Sequence, residues 1–184
     1  MCSSDLLVNF IDAVDVLRSG AIAVIPTDTI YGLVACADNK TAVQKIYLTK
    51  KRNPVKPCII LIDKPSRMLD FGVKDSWLSS TKQYWPGPYS LIFPTDRSDL
   101  YYLDRGTKTL AFRMPNNTSL INLIKKVGPI IAPSANPEGS LPATNIKQAK
   151  IYFGSDVDLY IDGGLLEKST PSSIIDMRDQ HKVR

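Results

Sequence analysis

Hydrophobic and polar positions fall into blocks along the chain, and most blocks have a readable period. Over residues 5–19, Leu6, Leu7, Phe10, Ile11, Val14 and Leu17 recur at helical spacing. This predicts an amphipathic packing helix. Ser4 or Asp5 can cap its start, and Gly20 can stop it. Residues 21–25 form a short apolar run, read as a buried strand. Pro26 ends that strand, because it has no backbone N–H to offer a ladder. Thr27, Asp28 and Thr29 then make a polar turn, followed by Tyr31-Gly32. A helical pattern continues to Lys50-Lys51-Arg52, with Ala42, Val43, Ile46 and Tyr47 as the apolar face of a helix over 41–51. A second apolar run, 58–62, predicts a strand.

The remaining blocks extend the alternation. Helices are predicted over 65–69 and 74–84, a turn over 85–88, and strands over 89–93 and 109–114. A helix over 120–127 is stopped by Gly128-Pro129, and a strand over 130–132 is broken at Pro133. Residues 134–140 read as a loop of small polar residues. Thr144 or Asn145 can cap a helix over 146–152. Strands are expected over 157–161 and 172–177, with a turn at 162–164 between them. The tail 178–184 is polar and expected to be mobile. Helices alternate with strands, yet some strands follow one another closely. The expected fold is α/β with a mixed, twisted sheet.

Charge changes this picture at one place. Between Asp38 and Asp63 there is no acidic residue, but there are Lys40, Lys45, Lys50, Lys51, Arg52 and Lys56. Such a one-sign cluster before a buried strand suggests an anion site. Lys50 and Lys51 have a second account, since cations at a helix C-terminus answer its dipole. Arg52 and Lys56 lie beyond the helix and lack that account. The turn residues Thr27 to Thr29 also have two readings: a ligand contact, or hydroxyls bonding their own backbone. Arg113 is a cation inside an apolar strand. It needs an anionic partner, either a protein carboxylate such as Asp28 or Asp162, or a substrate anion.

Composition bounds the function classes. The 184 residues carry a net charge of +5, which suits a polyanionic partner and equally suits plain solubility. Cys2, Cys36 and Cys58 form no zinc spacing and no CxxC pair, so a reduced, cytoplasmic chain is expected. Acidic and polar residues interrupt the N-terminal apolar positions, which argues against a signal peptide. No apolar run approaches the roughly 20 residues of a membrane span. The single histidine, His181, speaks against a histidine triad or a histidine-rich metal site. P-loop, GxGxxG and kinase motifs are absent. The residues alone describe an α/β protein with a basic, hydroxyl-rich anion pocket at its strand ends.

Six stretches sharpen this when taken together: IPTDTIYGL, IYLTKKRNPVKPCIILI, YWPGPYSLIF, TLAFRMP, IIAPSANPEGSLPATN and STPSSIID. In this order they resemble the YrdC-like family, and specifically its stand-alone threonylcarbamoyl-AMP synthases. The resemblance runs from about Gly20 to Asp176 and implies a single domain over 1–184. It implies a twisted mixed sheet with flanking helices around a deep basic cavity. It also implies a reaction: L-threonine, bicarbonate and ATP give threonylcarbamoyl-AMP and pyrophosphate. Partner proteins would then transfer the group to tRNA next to the anticodon.

By the resemblance, Lys50 and Arg52 are catalytic. They line the ATP site with Lys56, Thr109, Ser134, Asn136, Thr144 and Arg184. Thr29, Arg113 and Ser172 match threonine contacts. Mg²⁺ is expected to enter with the ATP phosphates rather than in a protein cage. Pro133 departs from the family, which commonly has a hydroxyl residue there. The chemistry fits a chain without a catalytic histidine, because a carbamate oxygen is already anionic and needs no strong base. Weak, electrostatic tRNA binding is a further expectation. A different class of function also uses these features: a non-catalytic RNA-binding module with the same basic cavity.

Overall fold

The computed structural model describes residues 10–166 and 170–184. In chain order the elements are helix α1 (Ile11–Arg18), strands β1 (Ala23–Ile25) and β2 (Gly32–Cys36), helix α2 (Lys40–Lys50), strands β3 (Ile59–Leu61) and β4 (Tyr89–Pro94), and the short helix α3 (Tyr101–Asp104). Then come β5 (Thr109–Arg113), α4 (Thr118–Val127), β6 (Ile130–Ile131), α5 (Ile146–Phe153), β7 (Leu159–Tyr160), β8 (Ser173–Asp176) and β9 (His181–Lys182). Between β3 and β4 the predicted helices are tight 3-10 segments, Pro65–Phe71 and Asp75–Gln83. Asn39, Asn117 and Asn145 start α2, α4 and α5, each accepting a main-chain N–H of its helix's first turn. Such caps satisfy donors that the helix itself cannot.

The described strands form one mixed sheet in the order β7-β1-β2-β6-β3-β5-β4-β8-β9. β1 with β7, β3 with β5 and β4 with β8 are parallel, and the other neighbours are antiparallel. The mixed sheet agrees with the expectation from the spacing of the blocks. Among the described residues the first helix runs Ile11–Arg18, after Phe10; its expected start at 5–9 and the caps named for it, Ser4 and Asp5, lie outside the described residues. Two expectations need correcting. Residues 32–36 are not the start of a helical pattern but strand β2, which pairs with β1 as a hairpin around the Thr27 turn. The tail is not free: β9 pairs with β8, and Arg184 and Ile174 exchange main-chain hydrogen bonds.

Two buried clusters hold the sheet. One face packs beneath α2, α5 and the 3-10 segments, with Leu33, Ile60, Leu91, Phe93 and Phe112 in its core. The other packs beneath α1 and α4, with Ile25, Val34, Leu61, Leu123 and Ile130. Among the described residues this second cover stops near β3. Strand alternation and register carry the same face on through Ala111, Ile92 and Ile174. Those side chains are only half-buried. The uncovered half of the sheet is the floor on which the site is built.

Candidate active site

A cavity of about 200 Å³ opens over this floor, above Ile59, Ala132 and Ile174. Four loops wall it: the β1–β2 turn, the segment after α2, the segment after β6 and the approach to β8. Arg52, Arg113 and Arg184 all line it, and among the described residues no Asp or Glu side chain stands in the lining. Thr29, Ser134 and Ser172 add hydroxyls.

The β1–β2 turn is fixed by one side chain. Thr27 Oγ1 accepts from the main-chain N–H groups of Thr29 and Ile30 and donates to Ile30 O at 2.7 Å. The backbone-bonding reading therefore describes Thr27. Thr29 is different: its hydroxyl accepts from Arg113 Nη1 at 2.7 Å. Behind the turn, the buried Tyr31 hydroxyl donates to Gly164 O and accepts from Gly163 N, both at 2.8 Å.

Arg113 is 4% exposed, on the face opposite Phe112. Its Nη1 also lies 3.2 Å from Asp28 Oδ1. Asp28, not Asp162, is thus its protein partner; Asp162 faces the Tyr31 hydroxyl. The pairing is incomplete, since Arg113 Nε is buried without a hydrogen-bond partner and Asp28 Oδ1 has none either. Burial pulls the Arg113 pKa down, Asp28 opposes that, and Arg184 adds to it. Arg184 donates through Nε and Nη2 to Ser172 O. Its own pKa is lowered by burial and then by Arg52. Arg184 therefore stands electrostatically between the other two arginines. Three guanidiniums that repel one another around one cavity favour a ligand with several negative charges. Ser172 Oγ lies 2.8 Å from Ser90 Oγ.

The basic loop is organised by its backbone. Lys51 leaves α2 in the left-handed conformation, φ 51°, which turns Arg52 toward the cavity. The Arg52 guanidinium donates to Lys56 O at 3.2 Å and Pro57 O at 2.9 Å. Lys50, expected at the ATP wall, is instead behind it. It is 2% exposed, and its Nζ lies 2.5 Å from both Ser134 O and Asn136 O. A desolvated ammonium needs such acceptors. Burial, then Arg52, lowers its pKa to about 8.

The loop after β6 runs alongside β2. Leu33 N donates to Pro133 O, Ala135 N donates to Tyr31 O, and Gly32 bridges Ser134. The proline at 133 is accommodated because only its carbonyl is used. Asn136 Nδ2 closes the loop on Pro137 O and Ser140 O, leaving its buried Oδ1 without a partner.

Of the expected ATP residues, Arg52, Ser134 and Arg184 line the cavity; Lys50 and Asn136 stand behind it, and Lys56, Thr109 and Thr144 are also outside the lining. Lys56 is exposed and pairs with Glu138 at 2.6 Å. Thr109 shares the open face but occupies the far end of β5 from Arg113, its hydroxyl bonded to Thr107. Thr144 precedes Asn145, the N-cap of α5, and its main-chain N–H and hydroxyl bond the Gln148 side chain. Sequence reasoning missed Glu138, whose partners are more than 80 positions away in the chain. No local pattern encodes such a pair.

Among the described residues, a cluster of potential metal ligands, Asp176, Asp179 and His181, lies at the β8–β9 turn. Arg178 already occupies both Asp176 oxygens. No described helix is long and apolar enough to cross a membrane.

Comparisons with known proteins bear on this arrangement. The family model for the Sua5, YciO and YrdC domain, described as telomere recombination, matches residues 15–184. A threonylcarbamoyl-AMP synthase of Pseudomonas fluorescens is 30% identical over 171 residues, covering 91% of this chain and 92% of its own. The crystal structure of Pyrococcus abyssi Sua5 complexed with L-threonine superposes with a TM-score of 0.82 at 31% identity. That match covers 93% of this chain and 51% of the other, so this chain spans about half of the P. abyssi protein. Escherichia coli YciO matches with a TM-score of 0.80 at 25% identity, covering 94% and 85%.

Proposed function

This chain belongs to the Sua5, YciO and YrdC family, and from that premise we propose that it is an L-threonylcarbamoyladenylate synthase. The observation that carries the reading is one cavity shared by two kinds of anion site. At one wall, Arg113 has an unfilled N–H beside Thr29 and Ser172, which suits an amino-acid carboxylate. At the other, Arg52 and the Ser134 loop suit phosphates, with Arg184 between. The likeness to a protein whose structure was solved with L-threonine supports the first assignment.

The reaction balances as L-threonine, bicarbonate and ATP giving L-threonylcarbamoyladenylate, pyrophosphate and water. The threonine nitrogen and bicarbonate condense to a carbamate with loss of water. A carbamate oxygen then attacks the α-phosphorus, and the bond to pyrophosphate breaks. Because the attacking oxygen is anionic, the chain's task is to hold two anions together and to stabilise charge on the phosphates. Arg52 is the group placed to do this, and Lys50 positions the loop facing it. Among the described residues the lining offers no Asp or Glu side chain to a metal, and Mg²⁺ would be carried by the ATP phosphates. The single domain, a cytoplasmic setting, delivery of the product to tRNA-modifying transfer proteins and weak tRNA contact belong to the same proposal.

The test is product analysis by chromatography. An AMP-linked product and pyrophosphate are expected, in amounts that require both threonine and bicarbonate. ADP as the only nucleotide product, or ATP use indifferent to threonine, would overturn the reading.

A further inference from the structure

The loops 50–57 and 134–140 are joined twice, in opposite directions. On the buried side, the Lys50 ammonium reaches the carbonyls of Ser134 and Asn136. On the outer side, Glu138 reaches back. Its main-chain N–H donates to Lys50 O at 2.9 Å. Its carboxylate accepts from the main-chain N–H of Asn53 through Oε2 and from Lys56 Nζ through Oε1. One side chain therefore holds both ends of the four-residue arc from Asn53 to Lys56.

That arc matters because of what it carries. Lys56 O and Pro57 O, at its end, are the acceptors for the Arg52 guanidinium. At its far end the buried Tyr47 hydroxyl donates to Lys56 O at 2.8 Å; within the arc the contacts are Lys56 N to Asn53 O at 3.2 Å and Val55 N to Asn53 Oδ1 at 3.1 Å. Residues 53–56 are exposed, so apart from that Tyr47 contact core packing does not fix them, and the Asn53 end depends on Glu138. An exposed ion pair such as Lys56–Glu138 contributes little to global stability. The second anchor, at Asn53, turns it into a clamp with a defined geometry. The Lys56 and Asn53 contacts hold the Glu138 carboxyl below the ordinary range, so it is ionised at neutral pH.

We propose that Glu138 is the positioning residue for Arg52: its carboxylate clamps the Asn53 to Lys56 arc so that the Lys56 and Pro57 carbonyls aim the guanidinium at the phosphates of ATP. This rests on the synthase reading above, which supplies ATP as the anion at Arg52. Glu138 itself touches no reacting atom.

Calorimetric titration of the full chain tests it, with ATP and L-threonine as separate titrants. Glu138→Ala should weaken ATP binding about five-fold or more, with threonine affinity kept within about two-fold and the melting temperature nearly unchanged. Glu138→Gln keeps an acceptor for Asn53 but loses the charge opposite Lys56, so its loss should be intermediate. The decisive comparison is a double-mutant cycle. In an Arg52→Ala background, Glu138→Ala should cost nothing further. A wild type that binds ATP beside a Glu138→Ala variant with equal affinity would overturn the inference alone. So would tighter binding, which would mark Glu138 as a competitor of phosphate for Lys56, or additive losses in the cycle. A wild type that binds no ATP would overturn the synthase reading and this inference with it.

Discussion

Lys50 Nζ lies 2.5 Å from the carbonyl oxygen of Asn136, and 2.5 Å from that of Ser134. The ammonium is thereby a strut between two loops. Lys50→Met should cost about 1–3 kcal/mol, because two buried carbonyls lose their donor. The pH dependence has a defined sign. The pKa is about 8 in the fold against an ordinary 10.5, so the native state sheds this proton before the unfolded chain does. Between those two values the unfolded state binds more protons, and stability rises with pH. The wild type should therefore gain on Lys50→Met as pH climbs from about 8 to about 10.5, and hold level below that window. Urea midpoints of both proteins across the range measure it; parallel curves would remove the buried ammonium.

Arg52→Ala should separate function from fold. Arg52 is half-buried and past a helix end, with only carbonyl contacts and a 5.9 Å approach to the Tyr47 ring. Its loss should leave melting nearly unchanged. The catalytic efficiency with ATP should fall by at least about ten-fold, the equivalent of one charged hydrogen bond. Steady-state kinetics on the folded variant give the answer, and near-normal turnover would take Arg52 out of the site.

The turn that positions Thr29 is braced from behind by a glycine. A Cβ on Gly163 would stand 2.5 Å from Pro26 Cβ and Cγ and 3.5 Å from the Tyr31 hydroxyl. Neither the proline ring nor the buried tyrosine has room to yield. Gly163→Ala should destabilise by about 1–3 kcal/mol through overpacking. Tyr31→Phe should cost a similar amount by stranding Gly163 N–H and Gly164 O. Both should also weaken threonine binding, since Pro26 and Tyr31 flank the turn. Denaturant midpoints with unchanged slopes, read beside threonine titrations, check the two effects together.

What could be read from the chain follows a physical divide. β4 and β5 are legible because apolar runs are bounded by turn residues, and alternation alone sets Arg113 opposite Phe112. β2 is not, because Gly32–Cys36 is buried on both faces. A fully buried strand has no alternation to distinguish it from a helix segment. The tail was illegible for another reason: β9 is short and exposed, and only its pairing with β8 orders it. Within the site, the resemblance to the family groups Lys50, Arg52 and Ser134 but does not say where each points. Whether an ammonium meets a ligand or a carbonyl is decided by the packing of a segment more than 80 residues away. The same limit hid Glu138.

The Arg113–Asp28 pair carries the last prediction, because it joins stability to recognition. Both side chains are nearly buried, 5% and 7% exposed, and 3.2 Å separates the charges. The pair leaves Arg113 Nε unfilled. Arg113→Lys keeps a charge for Asp28 but removes the planar fork. Threonine affinity should fall by about 1–3 kcal/mol, ATP affinity should change little, and the melting temperature should nearly hold. Arg113→Met goes further and strands the carboxylate; breaking a buried pair costs about 3–5 kcal/mol. Asp28→Asn added to Arg113→Met should then recover part of that stability without restoring threonine binding. The two variants thus separate what Asp28 needs from what threonine needs. Calorimetric titration of each substrate, with a melting curve beside it, distinguishes them. If Arg113→Lys bound threonine as the wild type does, the guanidinium would serve only Asp28 and Thr29 within the protein, and the carboxylate site would have to be sought at Arg184.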